Sequence, residues 1–139
     1  MPLLEQVLEK YPKEVKLVVK NFPLRNHRYS RKAAVAALAA DRQGKFWAFH
    51  DALFEDFSAL SEKKIEELAQ KLALDSKQFH RDVKDPKLQA RIGRDIQDGR
   101  QAGVRGTPTV FINGRRLKQR TLTGFSAVIE KELARAKKQ

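Results

Sequence analysis

Side chains able to do chemistry are few and scattered along this chain. Three histidines, His27, His50 and His80, are too few for a histidine-rich metal site. His27 follows an apolar segment in a turn, where it could serve as a general base or hydrogen-bond within its own loop. His50 lies on an aromatic-rich helical face, a pattern that points to core packing or a helix–helix hydrogen bond. His80, beside Arg81 and Asp82, reads as surface, and Trp47 reads as core rather than cofactor platform. Asp51, Glu55 and Asp56 crowd one helix and could pair as acid and base. Helix surfaces carry such clusters routinely, so the solvated reading is preferred. Val104-Arg105-Gly106 lacks the glycine pattern of a phosphate loop. Cysteine is absent altogether. These residues therefore form no disulfide, thiol nucleophile, cysteine zinc site, iron–sulfur cluster or thiolate haem ligand. No catalytic residue, metal site or cofactor is expected within them.

With 139 residues, the chain has enough length for one domain that buries roughly 68–70% of its unfolded surface. Its formal charge of +12 is uneven. Residues 1–85 hold 16 basic and 13 acidic groups, and residues 86–139 hold 13 basic and 4 acidic. The excess is carboxy-terminal and suits either an anionic partner or a solvated basic face. No RNP-type aromatic motif or zinc-finger spacing accompanies it, so nucleic-acid binding is not expected. Residues 1–10 lack the charged and apolar regions of a signal peptide. No run approaches the ~18 apolar residues of a membrane span. As written, the chain is expected in the cytoplasm.

The elements that must position any site follow from periodicity. Leu3, Leu4, Val7 and Leu8 recur at helical spacing up to Tyr11-Pro12. The β-branched run Glu14–Lys20, bounded by Pro12 and Asn21-Phe22-Pro23, predicts a strand. From Tyr29 to Leu88 the pattern is helical. Ser30 is a candidate cap for an alanine-rich helix to Asp41, and Gln43-Gly44 breaks it. Phe46, Trp47, Phe49, His50, Leu53, Phe54 and Phe57 mark the next helix, over Lys45–Phe57, with the recurrence of a buried face. Ser61 and Asp75 open two more helices, and Asp85-Pro86 opens a third that Gly103 closes. Thr109–Ile112 reads as a strand, Asn113-Gly114 as a hairpin turn, and Arg115-Arg116-Leu117 as the returning strand. A last helix starting at Thr123 or Ser126 carries Val128, Ile129 and Leu133. The expected class is α/β, one domain over residues 1–139 with a helical insertion at about 28–102.

This order resembles the DsbA-like thiol–disulfide oxidoreductases of the thioredoxin superfamily. Lys10-Tyr11-Pro12, Val15–Val19, Asn21-Phe22-Pro23-Leu24 and His27 look like the segment after the family's active-site helix. Gln43-Gly44-Lys45-Phe46-Trp47, His50-Asp51 and Leu53-Phe54 look like its inserted helical domain. Gly103-Val104-Arg105-Gly106-Thr107-Pro108 and the following hairpin look like its proline loop. The resemblance implies a thioredoxin-like fold of DsbA type and a cis peptide before Pro108. It also implies that Gly106, Thr107 and Pro108 bind an extended polypeptide substrate by strand addition. The implied parent activity is disulfide formation or isomerisation in periplasmic or other extracytoplasmic proteins.

The departure from that pattern is as informative. The family's Cys-x-x-Cys stands at the start of the first core helix, where the helix amino terminus favours a thiolate. Set against the family, this chain begins inside that helix, with the first core strand and the motif missing. Ser30, Ser58, Ser61, Ser76 and Ser126 all lie elsewhere. Two readings stand open: a start site inside a longer frame that carries the motif, or a redox-dead relative acting as a binding or structural module. Either way, thiol–disulfide exchange by these residues alone is excluded.

The missing strand would lie between Val15–Val19 and Thr109–Ile112. Unpaired backbone groups buried in such a slot cost ~1–3 kcal/mol each. Closure is therefore expected, by direct pairing of the two neighbours or by another chain. A homodimer through the open sheet edge is the first expectation.

Overall fold

A computed structural model describes residues 2–25 and 27–138. Seven α-helices and one β-hairpin are found among them: α1 (Pro2–Lys10), α2 (Ser30–Asp41), α3 (Phe46–Glu55), α4 (Glu62–Lys71), α5 (Ser76–Asp82), α6 (Pro86–Gln101), β1 (Phe111–Ile112), β2 (Arg115–Arg116) and α7 (Leu122–Ala136). A 3-10 turn over Phe57–Ala59 follows α3. The chain forms two compact units, Met1–Val19 with Gly106–Gln139, and Lys20–Arg105.

The Lys20–Arg105 unit is built around α2. Its run of alanines leaves little side-chain bulk, so neighbouring helices approach closely, and α3, α4, α5 and α6 all pack on it. Ala36, Leu38, Ala39 and Ala40 are buried, as expected of a helix apolar on most sides. Phe49 and Ile92 are the largest side chains wholly removed from solvent. Capping sets the boundaries. Ser61 accepts from the Lys64 N–H at 3.1 Å, Asp75 from Gln78 at 2.8 Å, and Asp85 from Lys87 at 2.9 Å ahead of Pro86. At the end of α6 the Val104 N–H bonds the Gly99 carbonyl and the Gly103 N–H bonds Arg100. With Gly103 at φ +80° this is a Schellman ending, which a residue bearing Cβ would strain.

Ser30 does not cap α2. Its hydroxyl donates to the Leu24 and His27 carbonyls at 3.0 and 2.9 Å, so it ties down the preceding turn, and Tyr29 takes the cap position without a side-chain bond.

In the other unit, α1, α7 and the hairpin enclose Val7, Tyr11, Leu117, Phe125 and Ile129. The Tyr11 hydroxyl donates to Glu130 Oε1 at 2.8 Å, and Lys10 Nζ donates to Ser126 Oγ at 2.9 Å. Asn113 (φ 48°) and Gly114 (φ 79°) make the tight turn that registers Ile112 with Arg115 and Phe111 with Arg116. The last helix starts earlier than Thr123 or Ser126, because the Thr121 hydroxyl accepts from the Gly124 N–H at 3.0 Å.

The strand expected at Glu14–Lys20 is not formed. Val15, Leu17 and Val19 are half-buried and Lys16 and Val18 exposed, the alternation of extended chain. No backbone N–H from Lys16 to Val19 finds a partner among the described residues. A strand is defined by its ladder, and extended backbone without one is coil. Thr109–Ile112 shortens to β1 for the same reason. Among the described residues only the hairpin partner pairs with it, helped by the Leu117 N–H on the Val110 carbonyl at 2.8 Å. The expected direct pairing of Val15–Val19 with Thr109–Ile112 is likewise absent among the described residues, where β1–β2 is the one ladder. Both segments instead lay side chains on the same core, through Val15, Val110 and Ile112.

Candidate functional site

The residues able to do acid–base chemistry do not converge. His50 is buried, with Nδ1 3.2 Å from Asp51 Oδ1, and its ring is surrounded by those of Phe46, Trp47 and Phe54. Asp56 goes to Lys64 at 3.1 Å, so the Asp51, Glu55 and Asp56 trio has no common focus. His80 is exposed, with Nε2 2.9 Å from Glu66. The His27 backbone N–H bonds the Leu24 carbonyl, and its ring lies 5.5 Å from that of Phe57. No group of three or more His, Asp or Glu side chains is placed to hold a metal among the described residues.

Trp47 corrects the sequence reading. It is 44% exposed rather than core, and Phe54 and Phe57 are exposed with it. Phe46, Trp47, His50, Phe54 and Phe57 form a continuous run of ring contacts, with Phe54 and Phe57 stacked. The period of α3 turns Phe49, His50 and Leu53 inward, with Phe46 half-buried beside them, and leaves Trp47 and Phe54 outside.

The Gly106-Thr107-Pro108 loop has a different character. The Thr107–Pro108 peptide is cis. The Gly106 carbonyl accepts from Thr109 Oγ1 at 2.7 Å, and the Pro108 carbonyl accepts from Arg120 Nη1 at 3.1 Å. Thr107, between them, is exposed, and neither its N–H nor its carbonyl has a partner among the described residues. A Cβ built on Gly106 meets nothing within 4 Å, so the approach to the loop is open.

Beside the loop is an open depression of about 300 Å³, lined by Pro108, Thr109, Val110, Arg116, Leu117, Lys118 and Arg120. Arg116, Lys118 and Arg120 escaped the sequence reading. The available signal was their spacing of two, together with the lack of any carboxylate between Asp98 and Glu130.

A family model described as "Thioredoxin" matches residues 2–131. The chain is 36% identical over 116 residues to the Na(+)/H(+) antiporter NhaA 3 of Salinispora tropica, covering 83% of this chain and 18% of that protein. It is 35% identical over 105 residues to the Na(+)/H(+) antiporter NhaA of Herminiimonas arsenicoxydans, covering 76% and 17%. The chain thus spans less than a fifth of the curated relatives it matches. Among the described residues no helix is long and apolar enough to cross a membrane. Two solved structures are similar. A thioredoxin-like oxidoreductase from Silicibacter pomeroyi aligns at TM-score 0.81 and 28% identity over 100% of this chain and 78% of that one. The thiol-disulfide exchange protein alpha-DsbA2 from Wolbachia pipientis aligns at TM-score 0.82 and 23% identity, over 94% and 71%. The thioredoxin-like fold that the motif resemblance implied is met again in whole structures, and this chain belongs to the thioredoxin family.

Proposed function

We propose that this chain is a polypeptide-binding thioredoxin-fold unit that is redox-silent by itself, and that Gly106, Thr107 and Pro108 hold an extended segment of the partner. One observation carries the reading. Thr107 is exposed and neither of its backbone groups has a partner among the described residues, while the carbonyls on either side of it are occupied by their own chain. An antiparallel hydrogen-bonded pair needs one residue's N–H and C=O, exchanged with one residue opposite. Thr107 offers that pair, and strand addition is the mode of recognition it suits. Thiol–disulfide exchange, the chemistry named for the Wolbachia protein, needs thiols that this chain does not contain.

The test is binding of fluorescein-labelled extended peptides, read by anisotropy. Thr107→Ala keeps the backbone groups and should leave affinity within about twofold. Thr107→Pro removes the donor and should weaken binding about tenfold, the worth of one hydrogen bond. Equal affinity of the two variants would sink the reading. In a dithiothreitol–insulin turbidity assay the chain alone should give no rate above the uncatalysed one.

A further inference from the structure

We infer that the loop's partner is an acidic polypeptide, whose carboxylates are read by Arg116, Lys118 and Arg120. The inference rests on the proposed peptide site at Thr107 and names the class of chain it takes.

The side chains from Arg115 to Arg120 fall into two sets. Leu117 is buried in the core, and Arg115 Nε lies 3.4 Å from Glu132 Oε1. Arg116, Lys118 and Arg120 form the other set, all exposed and all lining the depression that begins at Pro108. None of the three makes an ion pair among the described residues. Arg115, one residue away, does, so the nearby carboxylate is already taken.

Three like charges around one depression repel one another, and an anion placed there would relieve the repulsion. Guanidinium groups favour carboxylates through paired N–H donors. Arg120 also donates to the Pro108 carbonyl, which ties the cationic set to the peptide loop at 3.1 Å. A strand added at Thr107 would run beside Pro108 and Thr109. Its side chains one or two residues from the paired position would then lie over these cations. Polypeptide is favoured over nucleic acid because no exposed aromatic side chain lines the depression to stack a base.

The probes are three labelled nine-residue peptides, alike except for two glutamates, two glutamines or two lysines flanking the central residue. At 50 mM salt the glutamate peptide should bind about fivefold more tightly than the glutamine peptide and still more tightly than the lysine peptide. That is the scale of a few exposed ion pairs, and the gap should narrow at 500 mM. Arg116→Glu/Lys118→Glu should reverse the order. These side chains are exposed, so circular dichroism should be unchanged. Equal binding of all three peptides overturns the acidic preference but leaves the Thr107 site standing. Absence of binding by any of them overturns both. Displacement of the glutamate peptide by a single-stranded oligonucleotide at lower concentration than by unlabelled peptide would replace the polypeptide with a nucleic acid.

Discussion

Arg42 Nη1 lies 2.9 Å from Asp82 Oδ1, and Asp82 is only 5% exposed. The same nitrogen reaches Asp85 Oδ2 at 2.8 Å. Arg42 follows the last turn of α2, Asp82 ends α5 and Asp85 caps α6, so one guanidinium ties three helix ends together. Asp82 Oδ2 has no hydrogen-bond partner among the described residues, so Arg42 is the main compensation for the buried carboxylate. Arg42→Met should lower the melting temperature by several degrees, because a buried carboxylate is left unpaired. Arg42→Met/Asp82→Asn should recover part of the loss. Thermal unfolding of the two variants checks both statements.

Acid should weaken the same junction. The Lys87 backbone N–H, and after it the Arg42 guanidinium, hold the Asp85 carboxyl below its ordinary value. A carboxyl depressed on folding adds stability above its unfolded pKa of ~3.9, and that stability is lost as pH falls through the folded value. Urea midpoints should therefore fall as pH drops below about 4, and the fall should be shallower in Asp85→Asn. Equal slopes in wild type and variant would count against the assignment.

Gly124 sits in the first turn of α7 against the loop before it. A Cβ there would come within 2.2 Å of the Gln119 carbonyl oxygen, a backbone atom that no rotamer change can withdraw. Gly124→Ala should cost about 3 kcal/mol by overpacking, despite alanine's better helix propensity. Gly93→Ala, where nothing lies within 4 Å, is the control and should be neutral or slightly stabilising.

Ile92 is fully buried within the core that α2 organises. Ile92→Ala should destabilise by about 2–5 kcal/mol, and a value near the upper end would mean that the rigid alanine surface of α2 does not collapse into the cavity. Denaturant unfolding with an unchanged m-value is the measurement.

Self-association is expected through the backbone of Lys16–Val19, unpaired among the described residues, where Val18 stands 65% exposed. Copies of a +12 chain repel one another, so the dimer fraction should rise with salt. Val18→Lys should suppress it. Sedimentation showing only monomer at about 100 μM protein and 0.5 M salt would refute the association.

Local rules settled much of this chain before any tertiary contact was considered. The caps at Ser61, Asp75 and Asp85, the Gly103 ending and the Asn113-Gly114 turn depend on a few neighbouring residues, and each was legible in the sequence. The absence of cysteine likewise excluded thiol chemistry by composition alone. Resemblance in motif order is what pointed to Gly106, Thr107 and Pro108 as the proposed peptide site. Tertiary structure decided what depends on partners distant in sequence. Val15–Val19 has every local mark of a strand and becomes coil, because β propensity yields a strand only when another backbone completes the ladder. Trp47 sits on an apolar helix yet faces outward, because its exposure depends on which neighbours α3 packs against. The spacing of Arg116, Lys118 and Arg120 is visible in the sequence, but that they share one depression, with Arg115 already engaged by Glu132, is fixed only by the packing of the hairpin and α7.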